Sequence, residues 1–144
     1  MEHAPSVVNR NMTLELIDAT GTAFLLDAEL TYETADPFAV VAVFHAGEAP
    51  IRWVFGRDLL AEGMFSPAGD GDVHIWPCLD PGGRAVVIIE LSSPHGDALL
   101  QAASSDVNEF LQQTFELVPQ GTEDMELDLD STVLRLLADG PTAF

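Results

Sequence analysis

Residues 38–63 read FAVVAVFHAGEAPIRWVFGRDLLAEG, and they carry the strongest fold signal in the chain. The first seven, Phe38–Phe44, are almost continuously apolar, which predicts a central strand covered on both faces. Turn-forming residues at 46–50 separate this strand from Ile51–Phe55, where apolar side chains occupy every second position. Two such runs around a short turn with Gly and Pro are typical of an antiparallel hairpin.

A short helix is predicted directly after this hairpin. Residues 57–62 (RDLLAE) have helix-forming composition, and Gly63 is predicted to cap the C-terminal end. A helix of this length is not stable in isolation, so we expect it to dock on the sheet.

A second hairpin is predicted before residue 38. Apolar residues recur at every second position over most of Val8–Leu16 and again over Phe24–Tyr32, with a turn at 19–22 between them. This alternation is typical of strands with one face in the core and the other in water. Asp36-Pro37 breaks the pattern, because proline restricts its own backbone and that of the preceding residue. Four strands in meander order are therefore predicted.

Two more strands are predicted after the short helix. Residues 66–72 form a predicted loop, and strands are expected at Val73–Leu79 and Arg84–Leu91. Pro77 has no amide hydrogen for a ladder hydrogen bond, so the strand that contains it is predicted to be an edge strand or irregular at that point.

The last third of the chain changes to a helical period. Asp106 and Glu109 predict a capping-box start, and Pro119 predicts the end of the helix. A shorter helix is predicted at Ser131–Asp139. The predicted helical face consists of Val107, Phe110, Leu111, Thr114, Phe115 and Val118.

Together these elements predict one α+β domain over residues 1–144, with residues 1–5 disordered. Its antiparallel sheet has about six strands, with a short mid-chain helix and C-terminal helices. The length of 144 residues fits one ordinary domain.

The charge balance excludes several classes of partner. The chain has 24 acidic residues against five arginines, for a formal net charge of −19. Such a chain repels nucleic acid and an anionic membrane surface, so direct binding to either is not expected. Salt adaptation is a rival explanation for the acidity. The single cysteine, Cys78, permits no internal disulfide, which favours the reducing cytosol.

The sequence predicts no catalytic, cofactor or metal site, and hence no enzyme. The four histidines show no metal-ligand spacing, and Cys78 is expected to be a buried or idle thiol. The acidic segment 123–130 (EDMELDLD) lacks the register and the central glycine of a calcium loop, so it is interpreted as a solvated acidic strand or the lead-in to a helix. A hydrolase that binds a metal through these carboxylates is the enzyme alternative.

Four residues are predicted to contact a partner or a second copy. Trp53 and Trp76 lie in predicted strands, and the sheet offers more apolar surface than two helices cover. Arg57 and Asp58 begin the short helix and are expected to serve the same interface or to cap that helix.

The motifs of the chain resemble the SsgA-like proteins of sporulating actinomycetes. The resemblance extends over about residues 8–137 and rests on an ordered set of motifs. These motifs are TADPFAV at 34–40, WVFGRDLLAEG at 53–63, GDVHIWP at 71–77 and LSSP at 91–94.

This resemblance implies a regulator of sporulation-specific cell division. Family members are expected to bring FtsZ to septum sites and to promote its polymerisation, helped by SsgA and by a membrane-associated partner. The implied fold is similar to that of the whirly-type proteins that bind single-stranded nucleic acid, and the implied assembly is a homotrimer. A single-strand nucleic-acid-binding module is therefore the alternative function.

Overall fold

A computed structural model describes residues 6–125, and within them the chain forms eight strands and two helices. The predicted helix at 131–139 and residues 1–5 lie outside the described residues, and one domain over 1–144 stays a prediction. The strands are β1 (Val7–Ile17), β2 (Ala23–Glu33), β3 (Ala39–His45), β4 (Ile51–Gly56), β5 (Ala68–Asp70), β6 (Val73–Leu79), β7 (Ala85–Ser93) and β8 (Gly96–Ala103). The helices are α1 (Arg57–Gly63) and α2 (Ser104–Leu117), and neither is long and apolar enough to cross a membrane.

All eight strands belong to one antiparallel sheet in the order β4-β3-β2-β1-β8-β7-β6-β5. The first four form the predicted meander. The sheet divides into two four-stranded halves, because β1 and β8 are joined by only three residue pairs, from Glu15–Gln101 to Ile17–Leu99. The antiparallel α+β prediction is confirmed, but the prediction of about six strands is too low.

The two strands missing from the prediction have weak sequence signals. β5 is three residues long and lies within the predicted loop at 66–72. It pairs with the first residues of β6 around Gly71, whose φ of +59° suits glycine. In β8 the inward positions include Ala98 and Ala102, and alanine is a poor indicator of strands.

Both helices pack on one face of the sheet, which we call the inner face. Helix α2 contacts β1, β7 and β8, and α1 contacts β4, β5 and β6. The core lies between these layers. Strand β3 was predicted to be covered on both faces, but its outward side chains Val41 and Val43 are only half-buried. The structure therefore corrects that prediction, because the helices cover only the inner face.

Gly63 ends α1 as predicted, but for a different reason. Its φ is not positive, so it does not act as a left-handed cap. A Cβ atom at this position would overlap the side chain of Ile75 in β6. Glycine is therefore required by the close approach of α1 to the sheet.

The start of α2 also differs from the prediction. Ala103 is the N-cap residue, and no side chain of the described part of the chain caps the helix. The carboxylates of Asp106 and Glu109 instead bind Arg10 Nη2 of β1, at 2.9 and 2.8 Å. Residues three apart lie on one helical face, so both acids face the same strand. The predicted capping box is therefore wrong, and the two acids anchor α2 to β1.

Candidate functional site

An apolar cleft opens on the inner face between the two halves of the sheet. It has a volume of about 190 Å³, and its walls come from β1–β4 on one side and from β7 and β8 on the other. Its larger lining side chains are Leu16, Leu26, Phe44, Ile51, Trp53, Leu91 and Leu100.

Strand β4 places Trp53 in this cleft. Its inward residues Ile51, Trp53 and Phe55 lie opposite Phe44, Ala42 and Val40 of β3. Along these three positions burial falls steadily: Phe55 is buried, Trp53 is half-buried, and Ile51 is 48% exposed. The mouth of the cleft is therefore at the beginning of β4.

Small residues keep the cleft open. Ala46, Gly96 and Ala98 contribute to its walls and fill little volume. In the part of the inner face that α2 covers, Val107 and Phe110 are instead fully buried against the sheet. The open part of the inner face therefore presents apolar surface that the two helices do not use, which is typical of a protein-binding site.

A buried cluster around Arg57 stabilises the part of the inner face beneath the helices. The Arg57 side chain is fully buried. Its Nη1 donates to the carbonyls of Thr114 and Val118, at 3.2 and 2.7 Å, and Nη2 binds Glu123 at 2.7 Å. Its guanidinium also lies over the rings of Tyr32 and Phe115. We call these six residues the Arg57 cluster.

The Arg57 cluster has a clear electrostatic basis. The bound carbonyls are at the C-terminal end of α2, where the helix dipole favours a positive charge. Burial alone would raise the pKa of Glu123, but hydrogen bonds from Arg57 and from backbone amides outweigh burial and lower it. The carboxylate is therefore held ionised beside the guanidinium, which ties residue 123 to α1 and α2.

The four residues predicted for an interface do not form one surface. Trp53 lines the cleft, and Asp58 is exposed on α1. Arg57 neither caps α1 nor offers exposed surface, because its side chain is buried within the chain itself. Trp76 lies opposite Ile88 on the outer face of the sheet, away from Trp53. A partner contact for these residues stays a prediction.

The other described side chains that could bind a metal or act in catalysis are dispersed over the structure. His45 lies 3.3 Å from Glu29 and His74 lies 3.9 Å from Glu90, both on the outer face. Within residues 6–125, no three His, Cys, Asp or Glu side chains are grouped so as to hold a metal ion. Cys78 was predicted to be a buried or idle thiol; its thiol is exposed, so the buried alternative is wrong and the idle one stays a prediction.

The side of the cleft that β8 forms was not predicted from the sequence. Ala98 and Leu100 point inward there, opposite Leu91 and Ile89 of β7. The available signal was the alternation that begins after Gly96, but two of its three inward positions are alanine. The cleft requires the pairing of β1 with β8, which is distant in sequence and has no local signature.

Comparisons with known proteins identify the family. The family model described as "Streptomyces sporulation and cell division protein, SsgA" matches residues 26–123. The sporulation-specific cell division protein SsgB of Kineococcus radiotolerans is 44% identical over 96% of this chain and 84% of its own length. The SsgB of Streptomyces coelicolor is 44% identical over 93% of this chain and 98% of its own length.

Two solved structures agree with the fold. One concerns SsgB, whose mutations correlate with longitudinal cell division during sporulation of Streptomyces coelicolor; it has a TM-score of 0.82 and 43% identity, over 88% of this chain and 99% of that one. The other is an SsgA-like sporulation-specific cell division protein from Thermobifida fusca, with a TM-score of 0.84 and 37% identity over 93% of this chain and 98% of that one. The chain therefore belongs to the SsgA family of sporulation and cell division proteins, and its relatives named here include the SsgB proteins.

Proposed function

We propose that this chain is a non-enzymatic adaptor that recruits FtsZ to future septum sites during sporulation and promotes its polymerisation. The relatives act in sporulation-specific cell division, which supports the process. The recruitment of FtsZ is our proposal. In this proposal the protein acts at the septum, SsgA is a further partner, and the membrane is contacted only through another protein.

The apolar cleft is the observation that carries this proposal. A chain with a net charge of −19 nevertheless exposes Ile51 at the mouth of an apolar cleft that contains Trp53. Apolar surface that residues 6–125 leave uncovered supports a protein partner, since such surface contributes free energy only when it is buried.

We further propose that the chain assembles as a homotrimer. Trp53 and Trp76 lie on opposite faces of the sheet, so contacts between subunits and contacts with FtsZ do not need the same surface. A trimer presents three copies of the cleft to a polymer, and linked copies bind more tightly than one without any new contact.

The placement of the arginines counts against the nucleic-acid alternative. Arg57 is buried, and Arg10 is paired with two carboxylates. Only Arg52 and Arg84 are exposed cations among residues 6–125, apart from any charged histidine. A groove that binds single strands requires a continuous positive track and stacking aromatic residues. A gel shift with single-stranded DNA at low salt is expected to show no complex.

Pelleting of FtsZ polymers tests the proposal. The chain is mixed with FtsZ and GTP, the polymers are sedimented, and both proteins are measured in the pellet. We expect the chain in the pellet and more FtsZ there than without it, together with a trimeric solution mass. Absence of the chain from pellets that contain polymer would contradict recruitment, and an unchanged amount of pelleted FtsZ would contradict promotion of polymerisation.

A further inference from the structure

A second pocket lies where β1 and β8 separate. The last pair between these strands is Ile17–Leu99. Strand β1 ends at Ile17, and the chain turns at Asp18. Strand β8 extends beyond this pair to its first residue, Gly96. The space between them has a volume of about 550 Å³, which is within the range of sites that bind ligands. We call it the β1–β8 pocket.

The lining of the β1–β8 pocket combines apolar and acidic groups. Phe24 is the largest of its apolar residues and is 51% exposed. The apolar surface comes from Leu16, Ile17, Ala19, Phe24, Ala98 and Leu99. The same pocket is lined by three acids: Asp18, Glu90 and Asp97. Among the described residues no arginine contributes to the lining, so the acidic groups set the sign of the local field.

The Asp18 carboxylate is fixed in its charged form. It accepts hydrogen bonds from the amides of Thr20 and Thr22, each at 2.9 Å, and from the Thr20 hydroxyl at 2.6 Å. These bonds, the Thr20 hydroxyl first, lower the pKa of Asp18. The turn after β1 therefore holds one negative charge beside the pocket.

We propose that the β1–β8 pocket binds a segment of a partner protein in which a bulky apolar side chain stands next to a lysine or arginine. The apolar walls bury the bulky side chain, and the acids attract the neighbouring cation. Nucleic acid and anionic lipid are repelled by these acids. A second copy of the chain offers only Arg52 and Arg84 as exposed arginines among residues 6–125, so a partner segment richer in cations matches these acids better.

This inference goes beyond the proposed function, because it specifies the chemistry of the bound segment and holds whether or not FtsZ supplies it. Its test therefore uses short peptides without FtsZ, so that a failure here leaves the pelleting experiment unaffected. A negative pelleting result likewise leaves the pocket proposal standing.

Titration of the full ¹⁵N-labelled chain with three peptides tests the pocket. The probes are acetyl-GLKLKG-amide, its acidic counterpart acetyl-GLELEG-amide and its polar counterpart acetyl-GSKSKG-amide. We expect the first to shift the amide signals of Leu16, Ala98 and Leu99 most. We also expect it to bind about ten-fold more tightly than the serine peptide, since it buries leucine side chains. The acidic peptide is expected not to bind.

Two matched variants separate local from general electrostatics. Asp97→Asn removes one carboxylate of the pocket, and we expect about two- to five-fold weaker binding of acetyl-GLKLKG-amide. Glu116→Gln removes an exposed carboxylate from α2 instead and is expected to leave binding nearly unchanged. Both substitutions are at exposed positions and preserve side-chain size, so both variants are expected to fold.

Any of four results would overturn the proposal. If the serine peptide bound equally well, the apolar side chains would contribute nothing and binding would depend on charge alone. If the acidic peptide bound equally well, the acids of the pocket would not select a cation. Shifts that map away from the β1–β8 pocket would exclude the site. Absence of peptide binding would also refute it, and pocket signals that then move with protein concentration would assign the surface to a second copy.

Discussion

The Arg57 cluster and the apolar cleft lie on the same face of one sheet, but residues 6–125 cover the first much more completely than the second. In the Arg57 cluster a buried guanidinium finds a carboxylate, two carbonyls and two aromatic rings. In the cleft an indole and an isoleucine remain partly exposed beside small residues. We infer from this difference that the Arg57 cluster stabilises the fold and that the cleft is available for binding.

Removing the buried guanidinium is expected to have the largest effect on stability. Arg57→Ala leaves Glu123 buried without its partner, which costs about 3–5 kcal/mol of unfolding free energy. Arg52→Ala, at an exposed arginine only five positions earlier, is the control and is expected to be nearly neutral. Urea unfolding measures both, and equal losses would remove the contrast between the buried cluster and the exposed strand.

A substitution where α1 closely approaches β6 is expected to cause the next largest loss of stability. Gly63→Ala forces a methyl group against Ile75, and overpacking of this kind costs about 1–3 kcal/mol. Glu62→Ala changes the exposed neighbour in the same helix and serves as the control. If thermal unfolding showed no destabilisation by Gly63→Ala, the tight contact between position 63 and Ile75 would be contradicted.

Acid should selectively weaken the Arg57 cluster. The pKa of Glu123 is lowered in the folded protein, so its contribution is complete above the unfolded pKa of about 4.3 and is lost as pH falls through the folded pKa. The difference in stability between wild type and Glu123→Gln is therefore expected to shrink between neutral and acidic pH. Urea titrations across that range measure it, and a difference that stays constant would contradict the lowered pKa.

The smallest effect is expected at the surface pair that anchors α2. Glu109→Gln removes one of the two carboxylates on Arg10, and the partly exposed pair is screened by salt. The loss should be smaller than for Gly63→Ala and should fade as NaCl is raised from about 0.05 M to about 0.5 M. Glu116→Gln, at an exposed acid of the same helix with no such pair in the described structure, is the control. A loss independent of salt would indicate a packing role instead.

Local pattern predicted the parts of the fold that depend on neighbours in sequence. The alternation in β1 and β2 and the composition of 57–63 placed those elements correctly. The eight-stranded sheet was not predictable in full, because β8 has small inward residues and its pairing with β1 spans most of the chain. The buried position of Arg57 was not predictable for the same reason, because its acceptors at 114, 118 and 123 are distant in sequence.

The cleft likewise depends on contacts between residues that are distant in sequence. Trp53 was predicted to contact a partner or a second copy from a strand, and the structure places it in an apolar cleft. Nothing in the spacing placed Trp76 on the opposite face, since the faces are related only through the register of β6, β7 and β8.

A matched pair of substitutions in β4 tests the central claim most directly. Ile51 and Val54 are 48% and 46% exposed on the same short strand, but Ile51 faces the cleft mouth and Val54 faces the outer side. Ile51→Asn and Val54→Asn therefore remove similar apolar surface from opposite faces. We predict that Ile51→Asn abolishes most co-pelleting with FtsZ polymers while Val54→Asn retains it. Equal co-pelleting of the two variants would contradict the assignment of the cleft as the binding surface.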